Sequence, residues 1–358
     1  MNLSNITIND GKILKVILEC NSKQLLKNLI NKAVQTKKQY CKNIVYLRGL
    51  IEFSNLCPRN CYYCGIRKDN KKIKKYTISE KEIIPIIKEA YTKGYGSIVL
   101  QAGERRDQIF IKQIDRIICK TKQLSNGELG ITLSLGEQDY NVYKIWHESG
   151  VERYLLRIES SDEKLYKKLH PNDNLHSFTN RLIALEHLKT IGYQTGTGVM
   201  IGLPFQTPEH LAKDLMFMKN FDIDMCGMGP YIEHQNTPLW QYRNIIPASN
   251  KRFELTLKMI ALLRILIKDI NIAATTAMQT LVPEGRIKAI EAGANVIMPN
   301  LTPGHYRDYY NLYENKPTTF EAPKEHLDFL EKKLKTINHT IGLFNQGTSK
   351  HFIKRFQK

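Results

Sequence analysis

Eight short apolar runs alternate with amphipathic stretches along this chain of 358 residues. Such alternation is typical of parallel strands joined by helical crossovers. Eight strands, each followed by a helix, favour a complete (βα)8 TIM barrel over a doubly wound sheet. The predicted strands are 45–53, 97–101, 130–135, 153–159, 196–201, 225–229, 271–275 and 295–299, and the predicted helices between them are 80–93, 107–122, 139–149, 177–191, 208–220, 251–268 and 284–292.

The ends of the chain carry additional predicted helices. An N-terminal helix is expected at about 24–41 and a C-terminal helical extension at about 305–358. No long Pro/Gly linker divides the sequence, so we expect one domain that spans residues 1–358. Four glycines stand where a left-handed C-cap would end a helix before the next strand: Gly94, Gly150, Gly192 and Gly293.

Composition indicates a globular protein, with 42% hydrophobic and 25% charged residues. No apolar run is long and uncharged enough to span a bilayer, and the N-terminus lacks the apolar region of a signal peptide. Seven cysteines, an odd number, argue against a secreted disulfide framework. A cytoplasmic protein without membrane contact is therefore expected.

The formal net charge of +18 is compatible with a different class of function, a non-catalytic basic barrel that binds nucleic acid. However, basic residues are spread beside acidic ones, as in Lys81 and Glu82, and no arginine-rich patch interleaved with aromatic residues occurs. We predict no nucleic-acid partner and keep the basic barrel as an alternative.

Three cysteines close together indicate a metal centre. Cys57, Cys61 and Cys64 have the spacing C-x3-C-x2-C, which lets one short loop bring three thiolates to a common centre. A structural zinc site normally has four protein ligands, whereas a [4Fe–4S] cluster held by three cysteines keeps one iron open to another molecule. The spacing therefore favours such a cluster over zinc. The other cysteines, Cys20, Cys41, Cys119 and Cys226, are expected to be reduced and mostly buried.

Polar residues follow the predicted strands at the end where barrel enzymes place their active site. Arg157 and Glu159 are two residues apart on the fourth strand, so both should point into the barrel mouth. Such a pair is either a buried ion pair that supports the barrel or a ligand-binding pair. Thr275 and Thr276, where the seventh strand ends, offer two hydroxyl donors, although threonine also simply favours strands.

The cysteine motif, with Tyr63 before its last cysteine and Gly103-Glu104 after the second strand, resembles the radical S-adenosylmethionine (SAM) superfamily. Within that superfamily the stretches 51–55, 64–67, 133–137, 274–277 and 298–303 are similar to the HydE family of [FeFe]-hydrogenase maturases. The similarity runs in order from about residue 25 to 335. It implies that the open iron chelates the amino and carboxyl groups of SAM.

The resemblance also assigns binding residues, with no catalytic group beyond the cluster and SAM. Tyr310 and Tyr313, three apart, are expected to share a face of a helical turn. The implied iron ligands are Cys57, Cys61 and Cys64; the implied SAM-binding residues are Tyr63, Gln101, Gly103, Glu104, Glu159 and Arg181; and the implied substrate-binding residues are Thr132, Arg157, Thr275, Thr276, Tyr310 and Tyr313. Without the resemblance, Arg181 would equally be a solvated arginine on a helix face.

The implied activity is reductive cleavage of SAM to a 5′-deoxyadenosyl radical. The implied substrate is a cysteine-bound iron species with CO and cyanide ligands, supplied by the maturase HydG. The product would pass to HydF, and a reductant such as ferredoxin is also implied. Alternatives within the superfamily are a methylornithine-synthase-like mutase and a biotin-synthase-like enzyme. The latter needs ligands for an auxiliary cluster, and only the scattered Cys119 and Cys226 remain.

Two features depart from the HydE pattern. No cysteine follows Cys226, so the second, C-terminal cluster of some HydE proteins is expected to be absent. Phe205 stands after Gly-Leu-Pro, where many relatives have glycine, and the last twenty residues match weakly.

Overall fold

Eight parallel strands close into a barrel in the computed structural model, which describes residues 10–317 and 323–356. The strands are β1 (Ile44–Ser54), β2 (Ser97–Ala102), β3 (Gly130–Ser134), β4 (Arg153–Leu155), β5 (Gln194–Thr197), β6 (Met200–Ile201), β7 (Met225–Cys226), β8 (Gly229–Pro230), β9 (Asn271–Ala274), β10 (Val296–Ile297) and β11 (Thr340–Gly342). Around the barrel the order is β1, β2, β3, β4, β5, β7, β9 and β10, and β10 pairs with β1. This closure confirms the predicted TIM barrel.

Helices cover the outside of the barrel, as the amphipathic stretches predicted. The second helix, Lys23–Cys41, shows why these stretches are helical. Ser22 caps its N-terminus by accepting from Leu25 N, and Leu25, Leu29 and Ala33 form a buried stripe at four-residue spacing. The helices are α1 (Gly11–Glu19), α2 (Lys23–Cys41), α3 (Glu80–Thr92), α4 (Gln108–Leu124), α5 (Tyr140–Glu148), α6 (Glu163–Leu169), α7 (Phe178–Ile191), α8 (Pro208–Asn220), α9 (Ser249–Leu266), α10 (Thr276–Leu281), α11 (Gly285–Glu291), α12 (Gly304–Arg307), α13 (Pro323–Thr336) and α14 (Lys350–Phe356).

The helix-ending glycines are confirmed. Gly94, Gly150, Gly192 and Gly293 have φ between 86° and 128°, the left-handed region that glycine enters without a steric cost. Helix α1 and strand β11 were not predicted, and β11 adds to the barrel by pairing in parallel with the start of β1.

Several predicted strands are shorter than expected at the end where they approach the site. The fourth strand, predicted over 153–159, ends at Leu155, and Glu159 has left the extended region with φ 64°. The fifth, predicted over 196–201, is interrupted near Gly198, where an added Cβ would lie 2.0 Å from Gly227 O. The two chain segments approach too closely at this point for a side chain at residue 198. Beyond it, β6 and β8 pair in parallel.

The opposite end of the barrel is closed by the segment between β11 and α14. Arg153 donates to Gln346 O at 2.9 Å, and Asn271 Nδ2 donates to Gly347 O at 2.7 Å. Helix α14 then docks through His351, whose ring donates to Asp269 at 2.9 Å and to Asp222 at 2.5 Å. The hydrogen bond to Asp269, and then that to Asp222, raise the pKa of His351 although burial lowers it. Access to the barrel interior is therefore at the C-terminal strand ends.

The predicted C-terminal helical extension is only partly helical. Helix α12 ends at Arg307, residues 308–317 follow without regular helix, and β11 separates α13 from α14. Residues 1–9 of the expected domain, and 318–322, 357 and 358 of the expected extension, lie outside the described residues. Within 10–317 and 323–356, no helix is long and apolar enough to cross a membrane.

Candidate functional site

The loop that follows β1 brings its three cysteines together. Each residue is partly exposed, yet enough protein surrounds each sulfur for burial to raise the thiol pKa. The pKa of Cys61 rises to about 12, by burial and then by the charge of Cys57, and that of Cys64 is raised by burial and by both other cysteines. The three sulfurs therefore act on one another electrostatically, as ligands of one centre would.

The donor set fits an iron–sulfur cluster. Three thiols on one loop, with no fourth cysteine beside them, match a cluster in which each thiolate binds a separate iron and one iron keeps an open position. Thiols that stay protonated because they are buried lose their protons when metal binds. Within the described ranges, no three His, Cys, Asp or Glu side chains are grouped to hold a single metal ion.

The chain at the end of β2 contacts the cysteine loop. The backbone N–H groups of Arg59 and Glu104 donate to Cys57 Sγ and lower its pKa, although burial outweighs them. Gly103 N donates to Ser54 O at 2.9 Å. A Cβ on Gly103 would lie 2.2 Å from Leu56 O and 2.7 Å from the Cβ of Cys57. Only glycine lets the two chain segments approach this closely, so Gly103 has a structural role beside its predicted contact with SAM.

A buried network of charges holds the other side of the loop. Arg59, between the first two cysteines, pairs with Glu104 and lies 2.7 Å from Glu137. Arg181 Nε donates to Glu137 at 2.6 Å, and Arg106 contacts Glu104 at 3.1 Å. Burial raises the pKa of Glu137, but the guanidinium groups of Arg181 and Arg59 outweigh it, and the pKa is lowered. The network fixes the cysteine loop to the ends of β2 and β3.

This network changes the interpretation of two predicted SAM-binding residues. Arg181 is only 9% exposed, so the alternative of a solvated helix-face arginine is wrong. Its NH1 donates to Arg157 O at 2.8 Å. The Glu104 carboxylate meets Arg59, Arg106 and the backbone N–H of Glu137. In this structure both side chains hold the site together, and direct contact between them and SAM stays a prediction.

Two buried histidines hold the cysteine loop from the side of α6. Burial lowers the pKa of His170 to about 3, so its ring is neutral. With Tyr166 O 2.9 Å from Nδ1, the ring donates there, and Nε2 accepts from the hydroxyl of Tyr63 at 3.1 Å. Nε2 of His176 accepts the backbone N–H of Asn60 at 3.0 Å. The orientation of Tyr63, a predicted SAM contact, is thus set by His170.

The Arg157 and Glu159 side chains form an ion pair at the end of β4. Arg157 NH2 lies 2.9 Å from Glu159 Oε2 and also donates to Val199 O at 3.0 Å. Burial raises the pKa of Glu159, although the charge of Arg157 lowers it. The same carboxylate also raises the pKa of Cys64, after the larger effects of burial and the other thiols. This pair therefore lies beside the cysteine loop, and a non-glycine residue at φ 64° marks a strained position of the kind found at functional sites.

The three predicted substrate-binding threonines differ in their environments. Thr275 and Thr276 begin α10 at the barrel mouth and are half-buried; Thr276 Oγ1 accepts from Arg286 at 3.1 Å, and Thr275 Oγ1 lies 3.5 Å from Met228 O. Thr132 is buried inside the barrel, beside a cavity of about 20 Å³. Among the described residues its hydroxyl has no hydrogen-bond partner.

The mouth of the barrel is covered by residues 308–317, which we call the mouth segment. The predicted helical turn for Tyr310 and Tyr313 is wrong, because α12 ends before them. Tyr310 is buried and its hydroxyl accepts from Gln101 Nε2 at 3.3 Å. Burial raises the pKa of Tyr313; the charge of Glu52 raises it further and that of Arg157 lowers it. Leu312 O accepts from Gly65 N at 2.9 Å, so the mouth segment touches the cysteine loop.

Sequence reasoning missed several residues of this site. Arg59 lies within the cysteine motif, and Glu137 follows a glycine at a strand end as Glu104 does, so both carried a local signal. No local signal marks His170, His176 or Lys316, which pairs with Glu52 beneath the mouth segment. Outside the site, Cys41 and Cys226 are buried, whereas Cys20 is partly exposed and Cys119 is exposed, so the expectation of mostly buried thiols holds for two of the four.

Comparison with known proteins identifies the family. The family model of the Radical SAM superfamily matches residues 51–218. The [FeFe] hydrogenase maturase subunit HydE of Thermotoga maritima is 42% identical over 92% of this chain and 91% of its own length. A 3-methylornithine synthase of Methanosarcina acetivorans is 28% identical over 79% of this chain and 77% of its own.

The fold agrees with this assignment. The crystal structure of methylornithine synthase (PylB) superposes with a TM-score of 0.80 at 24% identity, covering 94% of this chain and 95% of that one. Membership of the superfamily implies a [4Fe–4S] cluster and SAM as cofactors, which the three cysteines fit. By its sequence identity to a HydE subunit over almost its whole length, the chain belongs to the HydE family of [FeFe]-hydrogenase maturases, a family of radical SAM enzymes.

Proposed function

We propose that this maturase acts on a cysteine-bound iron species that carries CO and cyanide ligands, a precursor of the hydrogenase di-iron site. The observation that carries the proposal is the meeting of the cysteine loop, the Arg157–Glu159 pair and the mouth segment at one end of the barrel. When bound, the cluster and SAM supply a 5′-deoxyadenosyl radical through one-electron cleavage of the S–C5′ bond. An anionic organometallic substrate beside that cleavage site would contact a guanidinium cation, hydroxyl donors and aromatic rings.

The residues that would hold SAM lie around the cysteine loop. The Glu159 carboxylate accepts hydrogen bonds and lies next to Cys64, so it is placed to accept from the ribose or amino group of SAM. Tyr63, fixed by His170, offers an aromatic face to the adenine. The proposed SAM-binding set is Tyr63, Gln101, Gly103, Glu104, Glu159 and Arg181, and the proposed iron ligands are Cys57, Cys61 and Cys64.

The residues that would hold the substrate lie deeper in the mouth. The Arg157 side chain is 31% exposed and can bind an anionic group while it keeps its pair with Glu159. Thr275 and Thr276 can donate to a carboxylate or cyanide without adding charge. Tyr310 is buried and Tyr313 half-buried at the barrel mouth, where they would exclude water and so protect a reactive radical from side reactions. The proposed substrate-binding set also includes Thr132.

The proposed partners follow from the family. HydG would supply the organometallic substrate, HydF would receive the product, and a reductant such as ferredoxin would provide electrons in the cytoplasm. The identity to the [FeFe] hydrogenase maturase subunit HydE of Thermotoga maritima supports hydrogenase maturation in general. Proposals for HydF, ferredoxin and the location rest on the resemblance alone.

A paired assay tests the proposal. In the double variant Thr275→Val, Thr276→Val, shape is kept and both hydroxyl donors are lost. SAM cleavage, measured as 5′-deoxyadenosine release, should persist because the cofactor contacts are intact. Hydrogenase maturation, measured as H2 production by hydrogenase matured with the variant, should fall by about a hundredfold, since small misplacements of a substrate have effects of this size.

Thr92→Val, on the exposed face of α3, is the matched control and should mature hydrogenase normally. Normal maturation by the double valine variant would remove the threonine pair from the substrate site. No maturation by the wild-type protein, with SAM cleavage intact, would refute the proposed function.

A second candidate function is a mutase of the methylornithine-synthase type. The relative with that name is 28% identical over 79% of this chain, and Arg157 with the two threonines could equally bind an amino-acid carboxylate. Formation of 3-methylornithine from an amino-acid substrate by the reconstituted enzyme would favour this candidate.

A further inference from the structure

A lysine-rich loop follows directly after the cysteine loop. Residues 67–75, which we call the basic loop, contain six basic residues and one acid, Asp69. Asp69 lies 3.7 Å from Arg67 and accepts from Asn60, so its charge is already shared with its neighbours. Lys68, Lys71 and Lys72 are exposed. The loop therefore presents a strongly positive surface to solvent.

Several contacts fix the basic loop to the cysteine loop. Lys68 N donates to Arg59 O at 2.8 Å, and Asn70 Nδ2 donates to Gly65 O at 2.6 Å. Lys75 Nζ donates to Ile66 O at 3.2 Å. The exposed lysines are thus carried on the same rigid unit as the three cysteines, and a protein bound to them would stand next to the cluster site.

Helix α6 extends the positive surface on the other side of the cysteine loop. Leu169 O, at its end, accepts from Tyr62 N at 2.9 Å. Lys164, Lys167 and Lys168 on this helix are exposed, and one of them, Lys167, pairs with Glu163 at 2.7 Å. Positive charge therefore flanks the cysteine loop on two sides.

We propose that the basic loop is the docking surface for a small acidic electron-carrier protein. The proposal rests on the proposed function, which consumes electrons: the carrier loses one electron, and one molecule of SAM gains it as its S–C5′ bond breaks. Electron transfer requires the donor to come close to the acceptor, and a positive surface beside the cysteines would select and orient an acidic donor. Nucleic acid fits less well, because the aromatic rings next to the basic loop are already engaged within the protein: Tyr76 is buried, and the partly exposed Tyr309 is covered by Lys74.

The test uses the full chain with the substitutions Lys68→Glu, Lys71→Glu and Lys72→Glu together. The matched control, Lys23→Glu, Lys27→Glu and Lys332→Glu, makes the same change of charge at exposed lysines of α2 and α13. Binding of an acidic ferredoxin is titrated at low and high salt, and 5′-deoxyadenosine release is driven either by reduced ferredoxin or by dithionite, which needs no docking.

The basic-loop variant should bind ferredoxin at least about tenfold more weakly than the control, and should lose most of the salt dependence of binding, because surface charges act mainly on association. Its ferredoxin-driven SAM cleavage should fall by a similar factor, while dithionite-driven cleavage equals that of the control. The neutral variant Lys68→Gln, Lys71→Gln, Lys72→Gln should lie between wild type and the glutamate variant.

Equal ferredoxin affinity in the basic-loop variant and the control would overturn the docking surface. Tighter binding of a short single-stranded RNA than of ferredoxin by the wild type, lost in the basic-loop variant, would also overturn it, in favour of a nucleic-acid surface. Absence of SAM cleavage by the wild type with both reductants would refute the proposed function, and the binding titration would still decide the docking surface.

Discussion

Removal of Lys316 from the mouth segment should destabilise the protein far more than removal of an exposed lysine. Lys316 Nζ pairs with Glu52 inside the barrel and donates to Tyr310 O at 2.8 Å. The Lys316 side chain is 6% exposed and that of Glu52 1%. Glu52 otherwise accepts from Asn300 Nδ2 at 3.2 Å. Lys316→Met keeps the apolar stem and deletes the charge.

The magnitude follows from the burial of the remaining partner. Breaking a buried ion pair by removing one member costs about 3 to 5 kcal/mol, because the other charge stays desolvated. The Asn300 hydrogen bond to Glu52 limits this cost, so we expect the lower end, about 3 kcal/mol. For a chain of this length the unfolding entropy converts that into a fall in melting temperature of about 4 °C.

Thermal unfolding followed by circular dichroism measures the effect, with Lys335→Met as the matched control. Lys335 pairs with Glu331 at 2.9 Å on the exposed face of α13, and its removal should cost less than about 1 kcal/mol. The double variant Glu52→Gln, Lys316→Met should recover part of the loss, because no unpaired carboxylate remains. Equal melting temperatures for Lys316→Met and Lys335→Met would refute the assignment of a desolvated ion pair under the mouth segment.

Three further changes have defined outcomes. Cys61→Ser should abolish iron binding after anaerobic reconstitution, because three ligands leave no spare thiolate, whereas Cys119→Ser should keep about four irons per chain. Glu159→Gln should weaken equilibrium SAM binding by about 1.5 to 3 kcal/mol, the size of a lost charge-assisted hydrogen bond. The pKa of His351 is raised in the folded chain. The stability that its charge adds is therefore complete below pH 6.5 and is lost as the pH rises through the raised pKa, which lowers the melting temperature. His351→Gln should remove this contribution to the fall in melting temperature.

Each of these outcomes has a control. Iron loss in Cys119→Ser as complete as in Cys61→Ser would contradict the ligand assignment. Glu163→Gln, at an exposed position of α6, should leave SAM affinity unchanged. An equally unchanged affinity in Glu159→Gln would place the SAM pocket elsewhere. The pH comparison must be made as a difference between wild type and His351→Gln, since burial also raises the pKa of Asp224 to about 6.

The sequence by itself determined the barrel and predicted the position of the metal ligands. Alternating apolar and amphipathic stretches predicted all eight barrel strands, because the period of buried residues reports the local conformation and its exposed side. The C-x3-C-x2-C spacing predicted one loop with three converging thiols, because the chain between the cysteines is too short to separate them. Both properties depend on residues that are near neighbours in sequence.

Strand boundaries were predicted less well near the site. The contacts that fix the chain there are tertiary: the ladder of β4 stops at Leu155, and further on Glu159 takes a left-handed conformation, with its backbone N–H donating to Gly198 O and its carboxylate paired with Arg157. Local propensity favours an extended chain at 153–159 and contains no sign of this turn. The helical turn expected for Tyr310 and Tyr313 failed for the same reason, since the mouth segment follows the surface on which it lies.

Only the tertiary structure decided which charges meet. The chain has 53 lysine and arginine residues and 35 acids, and nothing local marks Lys316 as the partner of Glu52, 264 residues away. Arg59, Glu104, Glu137 and Arg181 likewise come from four separate segments. A buried charge is stable only beside a partner in the same desolvated space, and that space exists only after the barrel has closed and the mouth segment has covered it.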